Sequence, residues 1–165
     1  MSTPRALDAP RPSLASAIYV GLGGGVVLLT LVLRYPSLFE PRWYGDEGIF
    51  AAIAQNMRSG RALYSEAWDN KPPLIFFTYA AVQSLFGTSV LALHAVATAV
   101  VIATQCALMA VAALLFGIRR ALVAGAIFAL LMGTPVIEAN LAMTETFMIL
   151  PATLAVLLVV LADRV

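Results

Sequence analysis

The polar stretch from Gly45 to Leu74, in an otherwise apolar chain, holds side chains suited to chemistry. Asp46 and Glu47 are adjacent carboxylates, with Trp43 and Tyr44 just ahead of them. A carboxylate beside a membrane interface can act as a general base or help to hold a divalent cation. Lys71 directly precedes Pro72 and Pro73, which suit a helix start, so its ammonium can neutralise a lipid phosphate near a helix N-terminus. Glu145 lies further on, in a brief polar link between two short apolar runs, where an ionisable residue is a functional candidate by default. Glu138 in the same link is a weaker candidate. Each has a plainer alternative. Asp46 can be a helix N-cap, Lys71 a headgroup anchor, and Glu145 a solvated or first-turn carboxylate.

Other chemistries find no support. His94 stands alone in an apolar run and reads as a hydrogen-bonded packing residue. Cys106 is the single cysteine, so it forms no intrachain disulfide and reads as a small buried apolar side chain. No His or Cys pair has metal-ligand spacing, and no Ser/His/Asp order or phosphate loop stands out. Spacing therefore assigns no metal and no cofactor, and a divalent metal at the carboxylates stays open. The formal net charge of +1 gives no sign of nucleic-acid binding.

The elements that must position these residues are apolar. The chain has 165 residues, 61% hydrophobic and 12% charged, with a mean hydropathy of +0.91. Soluble domains carry roughly 25% charged residues, so the bilayer is the expected solvent. Residues 1–13 form a polar, Pro-rich tail. Leu14 to Leu33 follows, and at ~1.5 Å per residue it reaches ~30 Å, the thickness of the hydrocarbon core. It reads as a retained anchor rather than a cleaved signal. Gly21, Gly23, Gly24 and Gly25 are expected to let another helix approach closely. Arg5 and Arg11 point to a cytoplasmic N-terminus.

An outer loop is expected over 35–88. Asp46 to Arg58 reads as an amphipathic surface helix with Ile49, Phe50, Ile53 and Met57 on one face, stopping near Gly60. Pro73 to Phe86 is a shorter apolar helix, with Tyr79 and Gln83 as a polar edge. Val90 to Phe116 is long enough to span. Ala121 to Ile137 and Thr146 to Ala162 are two further spans, the latter with Pro151 inside. If Pro73 to Phe86 crossed, there would be five spans and Arg119 and Arg120 would lie outside. If it lies flat there are four, and Arg119, Arg120 and Arg164 join the cytoplasmic side, as the positive-inside rule prefers. The expected fold is therefore all-α and integral to the membrane, with about four transmembrane helices plus surface helices in the first outer loop.

Taken in order, these features resemble the N-terminal part of the polyprenyl-phosphate-sugar-dependent glycosyltransferases of the C-type membrane fold. The branch is that of the protein O-mannosyltransferases and the lipid A aminoarabinose transferase. The resemblance covers Leu14 to Val165. It rests on Asp46-Glu47 with Ile49 to Met57 and Gly60, and on Tyr64 ahead of Asp69-Asn70-Lys71-Pro72-Pro73-Leu74. Leu85-Phe86-Gly87, an Arg pair with a small-residue helix, Thr134-Pro135 and an acid after Ala-Met-Thr complete it.

The resemblance implies sugar transfer from a polyprenyl-phosphate donor to an acceptor hydroxyl on a glycan, lipid or protein, at the outer face of the cell membrane. Asp46 is then the expected base, with Glu47 and Glu145 as further catalytic carboxylates. Lys71 and Arg58 are expected at the donor phosphate. The sequence departs from the pattern at three places: Glu145 stands where Asp is usual, His94 lies near a position often held by Arg, and no Arg stands one turn after Asp46. Family members have more spans, so residues 14–165 would be the N-terminal portion of the membrane domain. The rival reading is a non-catalytic helical subunit or scaffold that binds lipid or a partner.

Overall fold

A computed structural model describes residues 14–41 and 45–164. Six helices account for most of them: α1 (Leu14–Arg34), α2 (Gly45–Arg58), α3 (Pro73–Phe86), α4 (Val90–Phe116), α5 (Ile118–Gly133) and α6 (Thr144–Ala162). Short 3-10 turns at Pro36–Phe39 and Pro135–Ile137 follow α1 and α5. The described residues contain no strand, only an isolated bridge between Leu63 and Ala67. Among the described residues three segments are long and apolar enough to cross a membrane: α1 with its following turn, α4 and α6. α5 is 16 residues long, about 24 Å at ~1.5 Å per residue. It starts earlier than expected, so Arg119 and Arg120 lie in its first turn. It ends at Gly133, because the residue before Pro135 is forced towards extended backbone.

α4 is the centre of the bundle, packing on both α5 and α6, while α5 also packs on α1. Lipid tails are as apolar as leucine, so helix association here needs close packing and polar links. Gln105 of α4 provides the links. Its Oε1 accepts from Thr30 Oγ1 at 2.9 Å, and its Nε2 donates to the Gly125 carbonyl at 3.0 Å and the Val26 carbonyl at 3.3 Å. The close approach falls on α5 rather than on the α1 glycine cluster. A Cβ at Gly133 would sit 2.6 Å from Leu33 Cβ, and one at Gly125 would sit 2.6 Å from Met109 Sδ. Gly21, Gly24 and Gly25 have nothing within 4 Å, correcting the expectation that they seat a neighbouring helix of the described fold. Cys106, expected to be buried, is exposed on α4.

The helix ends sort by charge. At one end Arg119 Nε lies 3.4 Å from the Tyr19 hydroxyl, and the Arg164 side chain donates to the Leu114 carbonyl. At the other end α2 and α3 pack together over the starts of α4 and α6. Phe50 meets Phe76 and Tyr79 edge-on at 5.8 and 5.7 Å, and Leu93, Ala142 and Phe147 close the same core. The buried face of α2 is Phe50, Ala51, Ile53 and Ala54, with Ile49 exposed, so the helix is rotated from the expected face. The expected polar edge of α3 also faces inward. Tyr79 donates to the Ala142 carbonyl at 2.8 Å and Gln83 Nε2 to the Ala51 carbonyl at 2.9 Å. The outer face of α3 is apolar, with Leu74, Phe77 and Leu85 exposed.

Gly133→Ala should lower stability in detergent by about 1–3 kcal/mol, because a Cβ cannot be moved aside like a flexible side-chain tip. Gly24→Ala should cost nothing and can add up to about 1 kcal/mol through helix propensity. Thermal unfolding of the two variants measures the contrast.

Candidate active site

The acidic residues and the lysine meet at the end of the bundle capped by α2 and α3. A cavity of about 470 Å³ is lined by Asp46, Lys71, Met132, Glu138, Ala139, Met143, Glu145, Thr146 and Ile149. Lys71 Nζ lies 3.9 Å from Asp46 Oδ2, with both side chains partly exposed. Of the sequence candidates, Asp46, Lys71, Glu145 and the weaker Glu138 are thus brought together. Arg58 is not: it is exposed at the far end of α2, roughly 18 Å from Asp46 along the helix at ~1.5 Å per residue. Trp43 and Tyr44 lie outside the described residues, as do Arg5 and Arg11.

Each lining residue is held by local chemistry. Asp46 and Glu145 sit in the first turns of α2 and α6, where the helix dipole favours a carboxylate. Lys71 is fixed through its backbone. Its N–H donates to Asp69 Oδ1 at 3.0 Å and its carbonyl accepts from the Tyr64 hydroxyl at 2.8 Å. Tyr64 itself is left-handed, with φ of 69°. The motif of Tyr64, Asp69, Lys71 and the proline pair is therefore one mechanical unit. One acid and one tyrosine fold the loop, and Pro72 then leads extended into α3.

Glu47 differs from its neighbour. It is fully buried and does not line the cavity. Its Oε1 accepts from the Ala142 N–H at 2.6 Å and lies 3.1 Å from His94 Nε2, with Oε2 at 3.3 Å from the same nitrogen. His94 Nδ1 lies 2.5 Å from the Ser37 carbonyl. The expected bonded packing histidine is present, and the carboxylate expected among the catalytic acids is its partner.

Arg34 was not singled out by sequence reasoning. An arginine closing an apolar run reads as an interface anchor, yet this one is fully buried. It donates to the carbonyls of Met132 and Ala139, both at 2.7 Å, to that of Asn140 at 3.1 Å, and to Thr98 Oγ1 at 3.2 Å. The Asn140 side chain in turn donates to Glu40 Oε2 at 2.8 Å. Arg34 thereby fixes the cavity wall on both sides of Glu138, whose backbone is left-handed at φ 56°. A left-handed glutamate is uncommon and needs surroundings that enforce it.

The cavity presents an ammonium beside several carboxylates. That set can neutralise an anion on one side while taking a proton from, or hydrogen-bonding to, hydroxyls on the other. Among the described residues no group of three His, Cys, Asp or Glu is arranged to hold a metal ion. No family model, curated protein or solved structure matches the chain.

Replacing Arg34 with Lys keeps the charge but loses the planar fork, leaving buried carbonyls unpaired at about 1–3 kcal/mol each. Arg34→Lys should therefore lower the unfolding temperature and raise amide exchange selectively over residues 138–140, read by mass spectrometry.

Proposed function

We propose that this chain is an integral-membrane glycosyltransferase, or the N-terminal portion of one, that moves a sugar from a polyprenyl-phosphate donor to an acceptor hydroxyl at the outer face of the cell membrane. The observation that carries the reading is the shared cavity of Asp46, Lys71 and Glu145, drawn from three separate segments of the chain. A lipid-linked donor is insoluble in water, and this cavity lies at one end of a bundle built to sit in lipid.

The reaction follows from the residue types. Asp46 takes the proton of the acceptor hydroxyl as its oxygen attacks the anomeric carbon. The bond from that carbon to the phosphate oxygen breaks, and the negative charge that collects on the phosphate faces Lys71. Attack opposite the leaving group inverts the anomeric centre. Glu145 and Glu138 hydrogen-bond sugar or acceptor hydroxyls.

In this reading α1, α4, α5 and α6 cross the bilayer, and α2 and α3 rest on its outer surface. The exposed stripe of Leu74, Phe77 and Leu85 on α3 supports the flat placement, because a surface helix needs one apolar face for the lipid. The arginines at the opposite end support a cytoplasmic N-terminus. One observation favours the rival subunit reading: Gly21, Gly24 and Gly25 form a face with none of the described residues against it, suited to a further helix.

Asp46→Asn should reduce transfer of labelled mannose from polyprenyl-phosphate mannose by about 10²–10⁴-fold, at unchanged protein level in the membrane. Unchanged transfer would remove Asp46 as the base. For topology, with Cys106→Ala as background, an impermeant thiol reagent should reach Glu145→Cys from outside and Arg119→Cys only after the cytoplasmic side is opened. Labelling of both from one side would refute the four-span arrangement.

A further inference from the structure

We propose that Glu47 and His94 form a positioning pair that sets the place of Asp46, with Glu47 taking no direct part in transfer; this rests on the glycosyltransferase reading of the cavity. Both side chains are fully enclosed. A carbonyl faces one nitrogen of His94 and a carboxylate the other, and both are acceptors. Two protons must therefore lie in these two bonds, one on Nδ1 towards Ser37 and one between Nε2 and Glu47. Whichever member holds the second proton, the pair has no net charge. That satisfies the condition for burying ionisable groups without a further counter-ion.

Four segments meet at this pair: the turn after α1 through Ser37, α2 through Glu47, α4 through His94, and the link before α6 through Ala142. Asp46 is the residue before Glu47, and Met143 and Glu145 of the cavity wall follow Ala142. The pair thus sets the spacing between the first turns of α2 and α6, which carry two of the cavity's carboxylates. Lys71 has a separate support in Tyr64 and Asp69. Loosening the Glu47–His94 pair should move Asp46 and leave Lys71 where it is.

The test uses the full chain in membranes with polyprenyl-phosphate mannose as donor. Geometry is read separately, by joining Asp46→Cys and Lys71→Cys with a short bismaleimide in a Cys106→Ala background. In Glu47→Gln the amide can accept from Ala142 and donate to Nε2 of a neutral imidazole, so kcat and cross-linking should stay within about threefold. Glu47→Ala and His94→Ala should lower kcat by about 100-fold with donor KM within about threefold, and should slow the cross-link. If either alanine variant fails to accumulate, Glu47→Asp, too short to reach both partners, carries the same expectation.

Loss in Glu47→Gln as deep as in Asp46→Asn would give Glu47 a direct chemical role and overturn the proposal. So would full kcat and full cross-linking in Glu47→Ala, or a rise in KM alone. Absence of transfer by the unsubstituted chain, with cross-linking still dependent on Glu47, would instead defeat the reading that this chain by itself transfers mannose and leave the positioning role standing.

Discussion

A guanidinium cut off from water must find its acceptors inside the fold, and much of this structure follows from where Arg34 finds them. Three are backbone carbonyls, of Met132, Ala139 and Asn140. The first belongs to the last turn of α5, where carbonyls lack helical partners and the dipole is negative. The other two lie in the link that carries Glu138. Burial of the charge is compensated only while that link keeps its shape, so one side chain on α1 dictates the backbone on the far side of the cavity. The left-handed Glu138 is the visible strain of that arrangement.

Two kinds of force divide the molecule. Within the bundle, neutral polar contacts and close backbone approach hold α1, α4 and α5 together, with Gln105 bonded to both neighbours and Gly133 seated on Leu33. Apolar burial contributes little there if lipid replaces water as the competitor. Beneath α2 and α3 the core is aromatic and aliphatic, as in a soluble domain, and the buried ionisable groups among the described residues, Arg34, Glu47 and His94, lie at or beside this junction. The change of force coincides with the level of the cavity. A reaction that joins a lipid-borne group to a water-borne one would need both environments within one site.

The helices were legible from hydropathy because long apolar runs bounded by Pro, Gly and charges leave few alternatives. α4 and α3 match the sequence reading to the residue, and α1, α2 and α6 match within a few positions. The number of crossings was less legible, since α5 is short and α3 shorter still. At the site, Asp46, Lys71 and Glu145 could be found because helix-start signals place them at loop ends on one side of the chain's alternation. The opposite fates of Asp46 and Glu47 could not. Adjacent helical residues point about 100° apart, and which of the two turns inward depends on His94, distant in sequence. Arg34 was invisible for a related reason: a terminal arginine looks the same whether it meets headgroups or distant carbonyls.

The cavity's own charge arrangement gives a direction to any occupant. Among the described residues of the lining, Lys71 is the single cation, and Asp46, Glu138 and Glu145 are the acids. A phosphate brought to the start of α6 would find a helix N-terminus but also the Glu145 carboxylate, and like charges at short range outweigh a partial dipole charge of about half a unit. A phosphate beside Lys71 meets a full opposite charge, which it shares with Asp46. On the proposed reading, the donor therefore enters with its phosphate towards the Tyr64–Lys71 loop and its sugar towards Glu138 and Glu145, where carboxylates accept hydrogen bonds from hydroxyls. Asp46, 3.9 Å from the ammonium, lies at the boundary between the two halves. That is where a base must sit if the bond it helps to form joins one half to the other.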